Sequence, residues 1–305
     1  MSRGGDILRH EWRMLKKNRI SYLLLLPYAV LFLSFTVLPV GMSVYNGLTY
    51  NNFFDPARFV GFDNYVRMFT ADDVFITALR NTFTLALITG PLGYSLSFLL
   101  AWQIDRMGRR MRSLFVLLFY VPTMTSSIYT IWTLLFSNDE YGYINGIFLR
   151  LGLVRQPIQW LADPKYMMLV VIICVLWTSM GAGFLSFVAG FRSMDKQYYE
   201  AGEVDGIRNR WQELWYITLP MMRPQLMFGA IMSITGAFAI HDVTIALMGF
   251  PSTDYAVHTV VNHLYDYGYL RFELGYASAI STVLFLCMIG ANRLVNRLLR
   301  KVGQL

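Results

Sequence analysis

Charge is what this 305-residue chain has least of. Asp, Glu, Lys and Arg make up 15% of it against 55% hydrophobic residues, where soluble domains carry about 25% charge. That shortage excludes an ordinary soluble domain and points to a chain that crosses a membrane several times. Cysteine is nearly absent. Cys174 and Cys287 are the two present, each inside an apolar run, so neither a disulfide framework nor a thiolate metal site is expected. No G-x-x-x-x-G-K-[ST] phosphate loop, G-x-S-x-G elbow or H-E-x-x-H helix occurs, which removes nucleotide hydrolysis, serine-hydrolase and zinc-protease chemistry from the chain itself. No intramembrane pair of carboxylates suggests proteolysis or a proton relay. No cleavable signal is expected, because the basic start runs into an apolar stretch too long for one and without a small-residue cleavage site. The chain is expected to be no enzyme and to need no cofactor.

What it has in quantity is apolar runs. A bilayer core takes about 20 apolar residues per helix, and six stretches qualify: within 20–45, 81–104, 113–136, 166–191, 225–248 and 274–292. The fold class is therefore an all-α membrane protein with six transmembrane helices. A basic N-terminus (1–19) precedes a single six-helix domain (20–305), its first span at 20–45 and its core spans within 81–292. Lys and Arg give the orientation. With the N-terminus inside, 19 of them fall on the inner side and six outside, Arg80 sitting at a span edge. The bias places both termini in the cytoplasm and accounts for the net charge of +7 without nucleic acid.

The same count puts the stretch 193–224, between the fourth and fifth spans, inside the cell. It reads as two short capped helices. Ser193 is the expected N-cap of the first, with Asp195 in its first turn. Gly206 can close that helix in the left-handed conformation. Asn209, with Gln212 three residues on, restarts the chain in capping-box fashion. Trp211, Leu214, Trp215 and Thr218 recur at helical spacing, and Pro220 and Pro224 close the unit. Beside Glu200, the small Ala201 and Gly202 leave a surface that another protein can approach closely. The competing reading is an amphipathic helix lying on the lipid surface. Two further polar features stand out. His241-Asp242 is the one ionisable pair within a span, either facing a water-filled path or hydrated at the span's outer end. His258 and His263, five apart, are poorly spaced for one helical face and hence for a metal.

Glu200-Ala201-Gly202 followed by Gly206 and then Ile217-Thr218-Leu219-Pro220 resembles the EAA signature loop of importer-type ABC permeases. The resemblance extends over nearly the whole chain: Phe59-Val60-Gly61-Phe62-Asp63-Asn64-Tyr65 after the first span, Asn81-Thr82, Tyr120-Val121-Pro122, Tyr141-Gly142 with Trp160-Leu161, and Gly275-Tyr276-Ala277-Ser278-Ala279. Together these tags resemble the carbohydrate-uptake branch, and the longer subunit of its permease pair. Three departures are visible: Gly202 replaces the usual alanine, Ile207 to Tyr216 holds one residue more than the pattern, and the last outer loop reduces a glycine-rich stretch to Gly249-Phe250-Pro251. The extra residue is expected in the turn between the two short helices.

The resemblance implies the type I importer fold in a prokaryotic plasma (inner) membrane. It also implies a second permease subunit, two ATPase subunits, an extracytoplasmic solute-binding protein and a sugar or oligosaccharide substrate. Glu200, Ala201, Gly202 and Gly206 would then form the coupling helix, with Trp211, Leu214 and Trp215 anchoring the second helix on the membrane spans. Thr125, Ser126, Ser127 and Tyr129, then Trp177, Thr178 and Ser179, then Ser233, Thr235 and Asp242 offer the mixture of hydroxyls, carboxylate and aromatic faces that sugars need. Hydroxyls used merely for helix packing are the rival explanation. A secondary, ion-coupled transporter is the alternative function; it would often show repeated halves with broken helices, and no such repeat is visible.

Overall fold

A computed structural model describes residues 18–52, 54–125 and 127–302. Most of the basic N-terminus, and Ser126 among the candidate pathway residues, lie outside these. Four helices are long and apolar enough to cross a membrane as single rods or nearly so: α1 (Arg19–Asn46), the long α3 (Asp73–Asp105), the run Pro164–Ser193, and the last, of which Leu274–Leu299 is the apolar part. The other two spans are helix pairs. Arg109–Met124 with Ile128–Leu135 forms the third, and Arg223–Phe238 with Asp242–Met248, bent by 41°, the fifth. Counting each bent pair as one span gives the six expected stretches in order, and the fourth, though nearly straight, also loses its helix between Trp177 and Ala182.

The elements number as follows. A two-residue hairpin, β1 (Thr49–Tyr50) and β2 (Arg58–Phe59), pairs antiparallel after α1. Then come α2 (Asp63–Thr70), α3, α4 (Arg109–Tyr120), α5 (Ile128–Leu135), α6 (Tyr143–Arg150), α7 (Pro164–Trp177) and α8 (Ala182–Ser193). The loop supplies α9 (Gln197–Val204) and α10, which starts at Arg210–Glu213 and runs through a π-helical segment, Leu214–Thr218, to Leu219–Met221. The chain ends with α11 (Arg223–Phe238), α12 (Asp242–Met248), α13 (Val260–Tyr265) and α14 (Leu274–Val302).

Helix α1 buries none of its residues as far as Phe32. Its later half alone touches the bundle, where Ser43 and Ser281 hydroxyls meet at 2.8 Å. An apolar helix with almost no neighbour in its own chain leaves that face for lipid or another subunit.

Several of the tags that carry the family resemblance fasten one end of the bundle. Buried Asn64 donates to the carbonyls of Gly47 and Thr49, at 3.0 and 2.9 Å. Asn81 donates to those of Tyr255 and His258, and Thr82 Oγ1 accepts the Val260 N–H. A Cβ at Gly275 would fall 2.1 Å from the Thr49 carbonyl oxygen, so only glycine lets α14 start against β1. Asn145, fully buried, donates to the carbonyls of Ser137, Asp139 and Ile158 and accepts from Ile158 N–H and Trp160 Nε1–H, all within 3.1 Å.

Candidate functional site

The loop begins one turn later than expected. Ser193 is still helical and its hydroxyl donates back to the Gly190 carbonyl at 2.9 Å; Asp195 Oδ1 instead accepts the Gln197 N–H at the start of α9. Gly206 has φ +92°, and the Gly206→Glu203 and Ile207→Gly202 backbone bonds, 3.2 and 2.9 Å, close α9 in a Schellman turn. Asn209 caps α10 through the Gln212 N–H at 2.9 Å. The return bond of the box goes to Arg208 N–H, one residue short of the expected position.

Gly202 faces inward, which corrects its expected role. It is buried, and a Cβ there would meet Ile217 at 2.6 Å and Ile207 at 3.1 Å. Its smallness serves the packing of α9 on α10. The exposed face of α9 is instead Glu200, Ala201 and Val204, at i, i+1 and i+4, with Val204 87% exposed. Of the three residues expected to anchor α10, Leu214 is buried in the core. Trp211 leans on Trp102 while 66% exposed, and Trp215 points outward at 56%. Trp215 sits on the outer side of the helix because Leu214 and Thr218 occupy its inner one, whereas Trp211 lies at the edge against α3.

A cavity of about 320 Å³ lies among α3, α5, α7, α8, α11 and α12. Of the candidate pathway residues, Tyr129, Thr178, Ser179, Ser233 and Asp242 line it. Thr125, Ser127, Trp177 and Thr235 do not. Thr125 and Ser127 are exposed at the break in the third span, Trp177 packs edge-on against Trp132 at 5.5 Å, and Thr235 lies on an exposed face of α11. The rival explanation holds for part of the set too. Ser233 donates to the Gly90 carbonyl at 2.8 Å, tying α11 to α3, and Ser179 to the Leu176 carbonyl at 2.7 Å. Their lone pairs remain free to accept. Sequence reasoning missed the α3 wall of the cavity, Thr89, Gly93, Tyr94 and Ser97, although Thr89, Gly93 and Ser97 recur every four residues. His241 also lines the cavity, so the His241-Asp242 pair faces this interior space.

His258 and His263 form a chain of contacts near the ends of α3 and α14. Asp72 caps α3 by accepting the Phe75 N–H, and its other oxygen accepts Tyr276 O–H at 2.7 Å and His263 Nε2 at 3.0 Å. His263 Nδ1 lies 3.4 Å from His258 Nε2. The pair is brought together because Thr259 caps α13 between them. Burial drives His258 down to about 4, with His263 beside it adding to the effect. Burial also lowers His263 despite the Asp72 carboxylate. Burial raises Asp72, but hydrogen bonds from Tyr276 and Phe75 outweigh it and hold the carboxyl below its usual range. No group of three metal-ligating side chains occurs among the described residues.

The model of the family described as "Binding-protein-dependent transport system inner membrane component" matches residues 93–304. The chain is 28% identical over 298 residues, 96% of its own length and 94% of the relative's, to the probable ABC transporter permease protein YesP of Bacillus subtilis (strain 168). It is 29% identical to the arabinooligosaccharides transport system permease protein AraP of the same organism, over 91% of this chain and 88% of that one. It shares its fold, at a TM-score of 0.76 and 23% identity over 96% of this chain and 99% of the other, with a chain of a bacterial ABC transporter involved in the import of the acidic polysaccharide alginate. With more than half of its length inside the family model, the chain belongs to the binding-protein-dependent transport system inner membrane components, the permeases of ABC transporters.

Proposed function

We propose that this chain is one of two permease subunits of an ATP-driven importer of a sugar or oligosaccharide, with α9 docking in a groove of a cytoplasmic ATPase subunit. A solute-binding protein delivers the sugar on the outer side. It then passes through the space lined by Tyr129, Thr178, Ser179, Ser233 and Asp242. Both termini and the loop 193–224 lie in the cytoplasm, as the Lys and Arg distribution requires. The permease performs no bond chemistry. It alternates between two packings, and ATP-driven closure of the ATPase pair biases the balance between them.

The observation that carries this is the build of α9. Its inner face is fixed by Gly202, Ile207 and Ile217, and Gly206 sets its exit. The opposite face offers Glu200, Ala201 and Val204 with no partner of their own chain over them. A capped helix whose inner face is fixed and whose outer face is bare suits a socket in another protein. The bare first half of α1 favours a second permease subunit in the same way. Similarity to AraP, an arabinooligosaccharides transport permease, supports an oligosaccharide as cargo, and hydroxyl-rich lining with tyrosine faces suits one.

Purification from the native membrane should bring down an ATPase and a second permease with this chain. Replacing Glu200 or Gly206 should depress uptake while leaving insertion intact. Transport by the purified chain alone, driven by an ion gradient without ATP, would refute the proposal.

A further inference from the structure

One face of α10 is fastened to the end of α3. Residues 210, 213 and 214 stand at i, i+3 and i+4, so their side chains share a side of the helix. The Arg210 guanidinium lies 4.7 Å over the Trp102 ring, and the Trp211 and Trp102 centroids are 5.0 Å apart. Glu213 Oε2 is 2.5 Å from Arg106 Nη2. Leu214 is buried in the same apolar cluster as Ala101 and Ile104 of α3. The Nε and Nη2 groups of Arg210 are buried without a hydrogen-bond acceptor, so the indole face is what compensates that cation. Lifting α10 off α3 would strip it away.

The loop therefore has two exits into the bundle. One is the chain itself, from α10 through the π segment into α11. The other is this lateral joint to α3. Both helices wall the cavity, α3 with Tyr94 and α11 with Ser233. We propose that the joint between Trp102 and Arg106 of α3 and Arg210, Trp211 and Glu213 of α10 passes the loop's displacement to α3, so that two walls of the cavity move as one body. This rests on the docking function proposed above. The ion pair is half exposed at Arg106 and contributes little alone. The cation–π contact and buried Leu214 hold the joint. A charge reversal at Arg106, which sets repulsion against Glu213, therefore disturbs it more than deletion does.

The test uses the complete transporter with its ATPases and binding protein in proteoliposomes. Its probe is a ¹⁴C-labelled hydrolysate of plant cell-wall polysaccharides, and uptake per ATP hydrolysed is measured. Arg106→Glu and Glu213→Arg should each lower that ratio at least about fivefold with hydrolysis continuing, and the double reversal should restore it to within about twofold, as a shared contact requires. Single variants with an unchanged ratio, or a double variant as poor as the singles, overturn the inference. If Arg106→Glu reduces the amount of chain in the membrane, Arg106→Gln and Glu213→Gln replace the pair. Their double variant should then be no worse than either single, and an additive loss overturns the joint. A wild-type transporter that hydrolyses ATP yet takes up none of the probe counts against the proposed function instead.

Discussion

Acidification should loosen the segment 249–273 through His258. The Asp72 carboxylate can only accept, so His263 Nε2 carries the proton between them. That leaves His263 Nδ1 to accept from His258 Nε2–H, and His258 Nδ1 bare and buried without a partner. Protonating His258 would place an N–H donor where no acceptor exists, next to a ring already donating to Asp72. Asp266 and Asp72 favour its charged form, Arg271 opposes it, and burial outweighs them all. The folded value is about 4 against 6.5 for the free side chain. The open segment therefore binds the proton first as pH falls. Stability is complete above about 6.5 and is lost progressively down to about 4. Between pH 7.5 and 4.5 the two values correspond to about 70-fold more opening, or about 2.5 kcal/mol. His263, also depressed, acts in the same direction.

Hydrogen exchange of the α13 amides in the assembled transporter, corrected for intrinsic rates, measures that opening. Protection should fall over this window, and His258→Gln should flatten most of the fall. Equal protection at both pH values, or an undiminished fall in the variant, would refute the reasoning.

Two packing predictions accompany it. Gly275→Ala should cost about 1–3 kcal/mol or more in thermal unfolding of the purified complex, because the new methyl meets the Thr49 carbonyl, which has no side-chain freedom with which to yield; an unchanged midpoint would contradict the close approach. Asn145→Leu should cost at least about 3 kcal/mol, since several buried groups lose their partner at about 1–3 kcal/mol each, and Asn145→Asp should rescue little, because a carboxylate cannot donate to the three carbonyls it would face. A stable Asn145→Asp transporter would mean that the acceptor bonds alone matter.

The spans were legible in the sequence because the cost of placing a residue in lipid is local to that residue. Partnership was less so. Gly202 as a letter is equally consistent with a bare outer face and with an inner contact, and only the position of Ile217 decides between them. The spacing of His258 and His263 argued against their meeting on one helix, and that argument stands. They meet because the helix starts between them, at Thr259. Asn81 and Gly275 could be recognised as tags without any hint of what they fasten, since their partners lie in distant segments, and Asn145 was not singled out at all.

The breaks in the spans were the least visible feature, and they explain the cavity best. The fourth span loses its helix at Thr178–Gly181 and the fifth at Ala239–His241. Backbone without its helical bonds is tolerated at membrane depth only where protein or a water-filled space covers it. Thr178, Ser179 and Gly181 from one break, and Ala239, Ile240 and His241 from the other, open onto the same 320 Å³ space. Neither break follows from proline, since Pro27 and Pro91 sit inside helices that remain whole. The two interruptions and the cavity thus require one another: unwound backbone needs a polar space, and a polar solute crossing a lipid-embedded bundle needs groups not spent on holding a helix together.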